Sequence, residues 1–473
     1  MSNHDKYHDA AEALIARLEA AGQRILNADG SLYRYVNGVW LPGAEDHNVV
    51  RTAYYQEAMA HKVAWGDKEA ALWKTLRAMT LPSGEAIVMD RVPRLVCTNG
   101  TLDLTDNDLY EHDPTDYCTR HVAMAFDPDA TCPEWESALD RMLEGHDEVD
   151  NVKLLLQEFF GVSLFAKSQL PRNLRQAMLL WGPSETGKSS VAGVLSELFP
   201  KDRVTAATVR EVTGSFGLAT LHGALAWIAD EALDANGKAA AGLLKRLFNA
   251  EPIVINRKYR DQVTASFTGA VLFTANNPLV IDEDSEATYR RLISLRFTRG
   301  FTAEDAKKLG KSGRLVPYLR ECGEFPGILN WSLAGARRAL DRGRYTHVDA
   351  VLADREEMHS RSSAAHAFLV DCTEYDPAIH NASWVVGAAM KVYATAFHDD
   401  RRSIQAFTKS LADSVRGVHP MVQVGKLVKT QSGRARSLVG LKLNDEGKRW
   451  VAQAKDDGLF GSGRAVNVNE RAL

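Results

Sequence analysis

The chain has 473 residues, 45% hydrophobic and 25% charged, a balance that excludes a disordered or fibrous protein and is long enough for two or three separate cores. No apolar stretch approaches the ~20 residues that span a bilayer, and the acidic, histidine-bearing start does not read as a secretory signal, so a cytoplasmic location with no membrane partner is expected. The net charge of -4 hides an asymmetry: residues 1–160 hold 28 acids against 14 Lys and Arg, whereas residues 401–450 hold 3 against 11. A basic end on an acidic chain fits either a nucleic-acid footprint or a solvated surface.

The first segment opens with an amphipathic helical pattern through Leu14 and Leu18, then alternating residues around Asn37-Gly38, which predict a tight hairpin. Helices are expected over 48–64 and 68–79, and strand then turn over 95–100. Further helical stretches run from Cys132 onward. Between 176 and 297, near-continuous apolar runs at 177–181, 224–229 and 270–275 alternate with helical stretches, the pattern of a parallel sheet covered on both faces. A helix is expected over 327–340 and a charged linker over 341–363. Helices near 388–397 and 404–415 then precede two strand-like runs, 421–428 and 437–443, around the basic turn 430–434. That order suggests a winged-helix module, with a loose tail after Asp456. The five cysteines, Cys97, Cys118, Cys132, Cys322 and Cys372, form no C-x-x-C pair, so reduced thiols are expected.

The strongest chemical signal is Gly182-Pro183-Ser184-Glu185-Thr186-Gly187-Lys188-Ser189, a complete phosphate-binding loop between an apolar strand and a helix expected over 191–198, with Ser190 beside it as a further ATP-binding candidate. Its glycines let backbone N–H groups wrap phosphates. Lys188 reaches the terminal phosphates of ATP, and Ser189 can ligate Mg²⁺. The run Leu225 to Ala229 ends in Asp230-Glu231, which puts Asp230 at the ion and Glu231 beside an attacking water. Asn276 follows the third strand, where ligands sit in open α/β sheets. Arg290 and Arg291, expected in a helical region, are either a surface ion-pair group or candidates for a finger acting on a neighbour's nucleotide. Arg257, Lys258 and Tyr259 form the expected tip of a hairpin whose β-branched arms, 253–255 and 263–264, present charge to phosphates and a ring to bases. Arg434, Arg436 and Lys442 are the basic candidates for duplex DNA at the other end of the chain.

The order of these elements resembles the superfamily 3 helicases, within them the phage and plasmid primase-helicases related to the poxvirus primase-helicase. The resemblance rests on Gly182 to Ser189, Asp230 and Glu231, Leu244 to Leu247 with the Arg257 to Tyr259 tip, Asn276, and Arg290-Arg291. Cys97 to Leu104 and Phe325 to Trp331 are similar to family segments before and after the motor. It implies an α/β AAA+ P-loop motor with a mixed α+β N-terminal domain and a winged-helix-like C-terminal domain. The corresponding boundaries are 1–150 for assembly, 151–345 for the motor, 364–455 for DNA binding and 456–473 for a flexible tail. It further implies ATP and Mg²⁺ as cofactors, a hexameric ring on single-stranded and forked DNA, possible host replication partners, and 3′ to 5′ movement. Two departures stand out: Asp106-Asn107-Asp108 sits in a polar turn rather than on a metal-binding strand, which argues against priming, and Asn276-Asn277-Pro278 is one residue shorter than the family's Asn-x-x-Pro. A replication initiator using ATP as an assembly switch, or a P-loop kinase, are the alternative readings of the same motifs.

Overall fold

Local turn chemistry builds the first sheet: β1 (Arg24–Ala28), β2 (Ser31–Val36) and β3 (Val39–Pro42) form an antiparallel meander. Asn37 and Gly38 both take positive φ, 48° and 90°, as a two-residue hairpin turn requires. The computed structural model describes residues 3–28, 31–44, 47–63, 67–81, 87–106, 108–230, 238–256, 262–276, 289–309, 313–362, 364–398, 403–430, 433–460 and 466–471. They fall into two units, one of residues 1–234, 245–277 and 295–348, the other of 235–244, 278–294 and 349–473.

In the first unit, helices Asn3–Ala20, Asn48–Ala60 and Asp67–Met79 close a core around Leu14, Leu18, Tyr54 and Leu72, with Trp73 stacked on Tyr54 at 4.2 Å. A small antiparallel sheet follows, β4 (Arg94–Cys97), β5 (Gly100–Asp103) and β6 (Leu109–Tyr110). Helices Val149–Val162 and Phe325–Arg342 then lie close together because glycine faces backbone on each. A Cβ on Gly161 would stand 1.9 Å from the Ser332 carbonyl oxygen, and one on Gly335 2.3 Å from that of Gln157. Fully buried Glu158 joins the same pair of helices, accepting from Arg338 Nε at 2.7 Å, from Arg342, and from Thr346 N at 2.6 Å.

The chain then builds β7 (Ala177–Trp181), β8 (Val204–Thr205), β9 (Ala226–Ala229), the antiparallel pair β10 (Ile253–Ile255) and β11 (Val263–Ala265), β12 (Ala270–Ala275) and β13 (Leu292–Arg296). The main sheet has the order β13-β7-β12-β9-β8, and the pairs β7–β12, β12–β9 and β9–β8 are parallel. Every residue of β7, β9 and β12 is buried, which is why these strands read as unbroken apolar runs. The expected mixed α/β fold with a parallel sheet is present.

The second unit contains helices Asp349–Ser362, Ala364–Cys372, Ser383–His398, Ile404–Val418 and Asp445–Asp456 around β14 (Thr373–Ala382), β15 (Gln423–Thr430), β16 (Gly433–Leu443) and β17 (Glu470–Arg471). Its antiparallel sheet has the order β15-β16-β14-β17, and its core gathers Phe368, Met390, Phe407, Leu411 and Leu441.

Four expectations are corrected here. The boundary between the two units falls within the expected linker, between Val348 and Asp349, but residues 349–362 of it form a helix whose Met358 is buried, so much of its charge marks a solvated helix face. Strand β14 was not expected, because Pro377 and its polar neighbours mask a pairing that leaves a register shift between Tyr375 and His380. The end of the tail is not loose, since Arg471 and Glu470 pair with Ile379 and His380 of β14. Arg290 and Arg291 lie in a turn entering β13 rather than in a helix. Cys97, Cys118, Cys132 and Cys372 are buried, Cys322 is exposed, and none forms a disulfide.

Candidate functional site

β7 ends at Trp181 and the backbone turns at once, with Gly182 at φ 135°, Glu185 at 60° and Gly187 at 92°. Both glycines are required by contact as well as by conformation. A Cβ on Gly182 would stand 2.0 Å from the Phe297 carbonyl oxygen, and one on Gly187 2.4 Å from Met142 Sδ. The loop is tied to its surroundings: Gly182 N donates to Ala275 O at the end of β12, 3.2 Å away, and Phe301 N donates to Glu185 O at 2.6 Å. Pro183, Ser184 and Glu185 are exposed, and Thr186 is buried with its hydroxyl donating to Pro183 O at 3.0 Å. Helix Lys188–Glu197 follows with Gly187 as its N-cap, so no side chain at the cap competes for the N–H groups of its first turn.

Lys188 is only 6% exposed. Its ammonium donates back into the loop, to Gly182 O at 2.9 Å, Pro183 O at 2.5 Å and Thr186 Oγ1 at 3.3 Å. Burial pushes the Lys188 ammonium below the ordinary lysine value, and the Asp230 carboxylate pulls it back up. Asp230 directly follows β9 and is the meeting point of three strand ends. It accepts from Ser189 Oγ at 3.1 and 3.3 Å, the P-loop side, and from Thr274 Oγ1 of β12. Asn276, exposed just past β12, has Oδ1 3.5 Å from Ser184 Oγ. Ser190, half-buried, sits in the first turn of the P-loop helix.

The structure therefore brings the loop from Gly182 to Ser189, Asp230 and Asn276 to one edge of the parallel sheet, beyond the C-terminal ends of β7, β9 and β12. Thr274 is the partner that the sequence reading passed over. A lone hydroxyl in an apolar strand, two residues before Asn276 and so on the same face, was the available signal. Ser189 and Asp230 supply a hydroxyl and a carboxylate 3.1 Å apart, a hard-oxygen donor set that fits Mg²⁺ completed by phosphate oxygens and water. Among the described residues, no group of three or more His, Cys, Asp or Glu forms an alternative metal site.

Other candidates lie elsewhere. Glu231 and the tip residues Arg257, Lys258 and Tyr259 are outside the described residues, although the arms of that hairpin pair as β10 and β11. Arg290 is exposed and Arg291 half-buried. In the second unit, Arg434 pairs through its backbone with Lys429, and Arg436 is exposed on β16 opposite Leu427. Lys442 is bound to Glu374 across the sheet at 3.1 Å, so that carboxylate competes with phosphate for its charge.

Two family models match parts of the chain. Residues 52–144 match one described as D5 N terminal like, and residues 180–291 match a family of unknown function, DUF5906. Together the two matches cover less than half of the chain. Among solved structures, an apo structure of the NrS-1 C terminal region (305-718) is similar at 14% identity and a TM-score of 0.47, covering 90% of this chain and 98% of that one. An A form apo structure of the same region gives 15% identity and a TM-score of 0.44 with the same coverage. Among the described residues, no helix is long and apolar enough to cross a membrane.

Proposed function

We propose that this protein is an ATP-dependent DNA helicase of the superfamily 3 type, serving the replication of a phage, satellite or plasmid. The observation that carries the reading is the convergence of the P-loop lysine, Ser189, Asp230 and Thr274 at one edge of a parallel sheet. In this reading the N–H groups of 182–189 cradle the phosphates of ATP, and the Lys188 ammonium leaves its loop carbonyls for the terminal phosphates. Ser189 and Asp230 hold Mg²⁺, which when bound neutralises charge gathering on the phosphate oxygens. Thr274 keeps the Asp230 carboxylate oriented, Glu231 polarises the attacking water, and Asn276 contacts the γ-phosphate or that water. Arg290 or Arg291 acts as the finger on a neighbouring subunit's nucleotide.

The reading extends to an AAA+ motor over 151–345, an assembly domain over 1–150 and a winged-helix-like DNA-binding domain over 364–455. The working form is a hexameric ring that translocates 3′ to 5′ on single-stranded DNA. The hairpin carried by β10 and β11 is the coupling element, because it joins the segment after Asp230 to the strand before Asn276. A lysine at its tip grips phosphate without base preference, as a sequence-blind motor requires.

The test is ATPase activity with and without single-stranded DNA, measured together with the mass of the assembly. Lys188→Ala should abolish hydrolysis, whereas Glu231→Gln should bind ATP with near wild-type affinity and fail to turn over. Absence of ATPase activity in the wild-type protein under both conditions, or equal loss of ATP binding in the two variants, would refute the assignment.

A further inference from the structure

The main sheet has a second edge. The residues that precede β8, β9 and β12 meet at the end opposite the P-loop, around a cavity of about 510 Å³. Arg203 leads into β8, Gly223 lies just before β9, and Phe267 lies just before β12. His121 and two residues of the N-terminal meander, Tyr33 and Pro42, complete the wall.

Arg203 has a side chain 17% exposed, and its counter-ion Asp202, 3.4 Å from Nε, has one that is 75% exposed. Among the described residues Arg203 Nε is buried without a hydrogen-bond acceptor. Gly223, at φ 76°, leaves the space the guanidinium occupies, since a Cβ there would stand 3.2 Å from Arg203 Nη1 and 2.9 Å from Pro42 Cγ. Burial is the main cause that pushes Arg34, His47 and His121 below their ordinary values, with the charge of Arg203 a lesser contributor to each, so His121, at about 4, is a neutral imidazole on this wall. The carboxylate of Asp90, which lines the same cavity, is already engaged, accepting from Thr119 N at 2.6 Å and from the Thr119 hydroxyl. A cavity wall that carries a guanidinium whose buried Nε–H lacks a hydrogen-bond acceptor, with its counter-ion turned to solvent, is suited to an anion.

We propose that this cavity is a second phosphate-binding site that takes one nucleotide unit, with the phosphate on Arg203 and the base among Tyr33, Pro42 and Phe267. The volume lies in the range of small-molecule sites and far exceeds a lone phosphate ion. The unit is either a free nucleoside monophosphate or a single nucleotide of a bound DNA strand, which share this chemistry. The site is separate from the P-loop, because it lies at the N-terminal rather than the C-terminal ends of β9 and β12.

The experiment is hydrogen–deuterium exchange on the full chain, titrated separately with dTMP and with an oligothymidylate, each with the P-loop saturated by ADP. The expected result is protection of the segments around 119–121, 203–205 and 222–225 by at least one probe. Protection at the lower concentration by dTMP identifies a free nucleotide, and by the oligothymidylate a DNA strand. Arg203→Gln should weaken that protection at least about tenfold, the loss expected for one charge-assisted hydrogen bond, and Arg203→Lys should recover part of it. Should Arg203→Gln alter exchange in β7 and β12 without ligand, Ser168→Trp replaces it. Ser168 is exposed on the cavity wall, and its tryptophan would obstruct entry without touching the arginine's chemistry. Protection by neither probe, or protection unchanged in the folded variant used, would overturn the proposal.

Discussion

Lys167 offers a quantitative test of how the first unit is held together. It is 3% exposed, its ammonium donates to Leu247 O at 3.4 Å, and it lies 5.3 Å from the centre of the Phe267 ring. Burial first, and then the charge of fully buried Arg120, push it from the ordinary 10.5 down to about 7. At about 1.4 kcal/mol per pH unit, that displacement disfavours the buried ammonium by about 5 kcal/mol. Local relaxation and water entry reduce the realised figure, so Lys167→Met should stabilise the unit by about 2 to 4 kcal/mol below pH 7. The sign follows from where each state holds its proton. The folded chain releases it near pH 7 and the unfolded chain near 10.5, so the penalty is complete below 7 and fades as the pH rises to 10.5. The advantage of Lys167→Met should therefore be largest at pH 6 and small at pH 10. Urea titrations at these two pH values, read by pulsed hydrogen exchange of the β7 and β12 peptides, resolve this unit from the other. An advantage independent of pH, or a net loss at pH 6, would refute the reasoning.

Further outcomes follow from the same contacts. Thr274→Val removes a hydroxyl that donates to Asp230 while keeping the side chain's shape, so ATP hydrolysis should fall about tenfold with ATP affinity nearly unchanged; steady-state kinetics beside nucleotide binding would separate the two. Glu158→Gln weakens a buried carboxylate shared by Arg338, Arg342 and Thr346 and should cost about 2 to 3 kcal/mol of stability, seen as a lower urea midpoint at pH 7. Gly335→Ala forces a Cβ toward the Gln157 carbonyl and should cost about 1 to 3 kcal/mol by overpacking, measured in the same titration. Lys258→Ala should leave basal ATPase activity and assembly near wild type while removing stimulation by single-stranded DNA; unwinding at the wild-type rate would reassign the hairpin to subunit packing.

Much of the chemistry was legible in the one-dimensional pattern because it is local. A P-loop is a contiguous run whose glycines, lysine and serine act through neighbouring backbone, so the strand over 177–181, the loop and a following helix are legible in sequence, although that helix starts at Lys188, inside the motif, rather than at Val191. The hairpin at Asn37-Gly38 and the buried parallel strands were readable for the same reason, since turn chemistry and unbroken hydrophobicity are properties of adjacent residues. Pairings between distant residues were not readable. Thr274 meets Asp230 44 positions away, and β14 finds β16 across some 60 residues despite a proline and a register shift. Helix Asp349–Ser362 shows the converse, because its charged sequence looks like a linker until the burial of Met358 is known. The cavity around Arg203 draws on segments from residue 31 to residue 268, and none of them carries a motif. Only tertiary structure decides such a site, because burial and the summed field of separate charges depend on how the chain folds back on itself and not on the order of its residues.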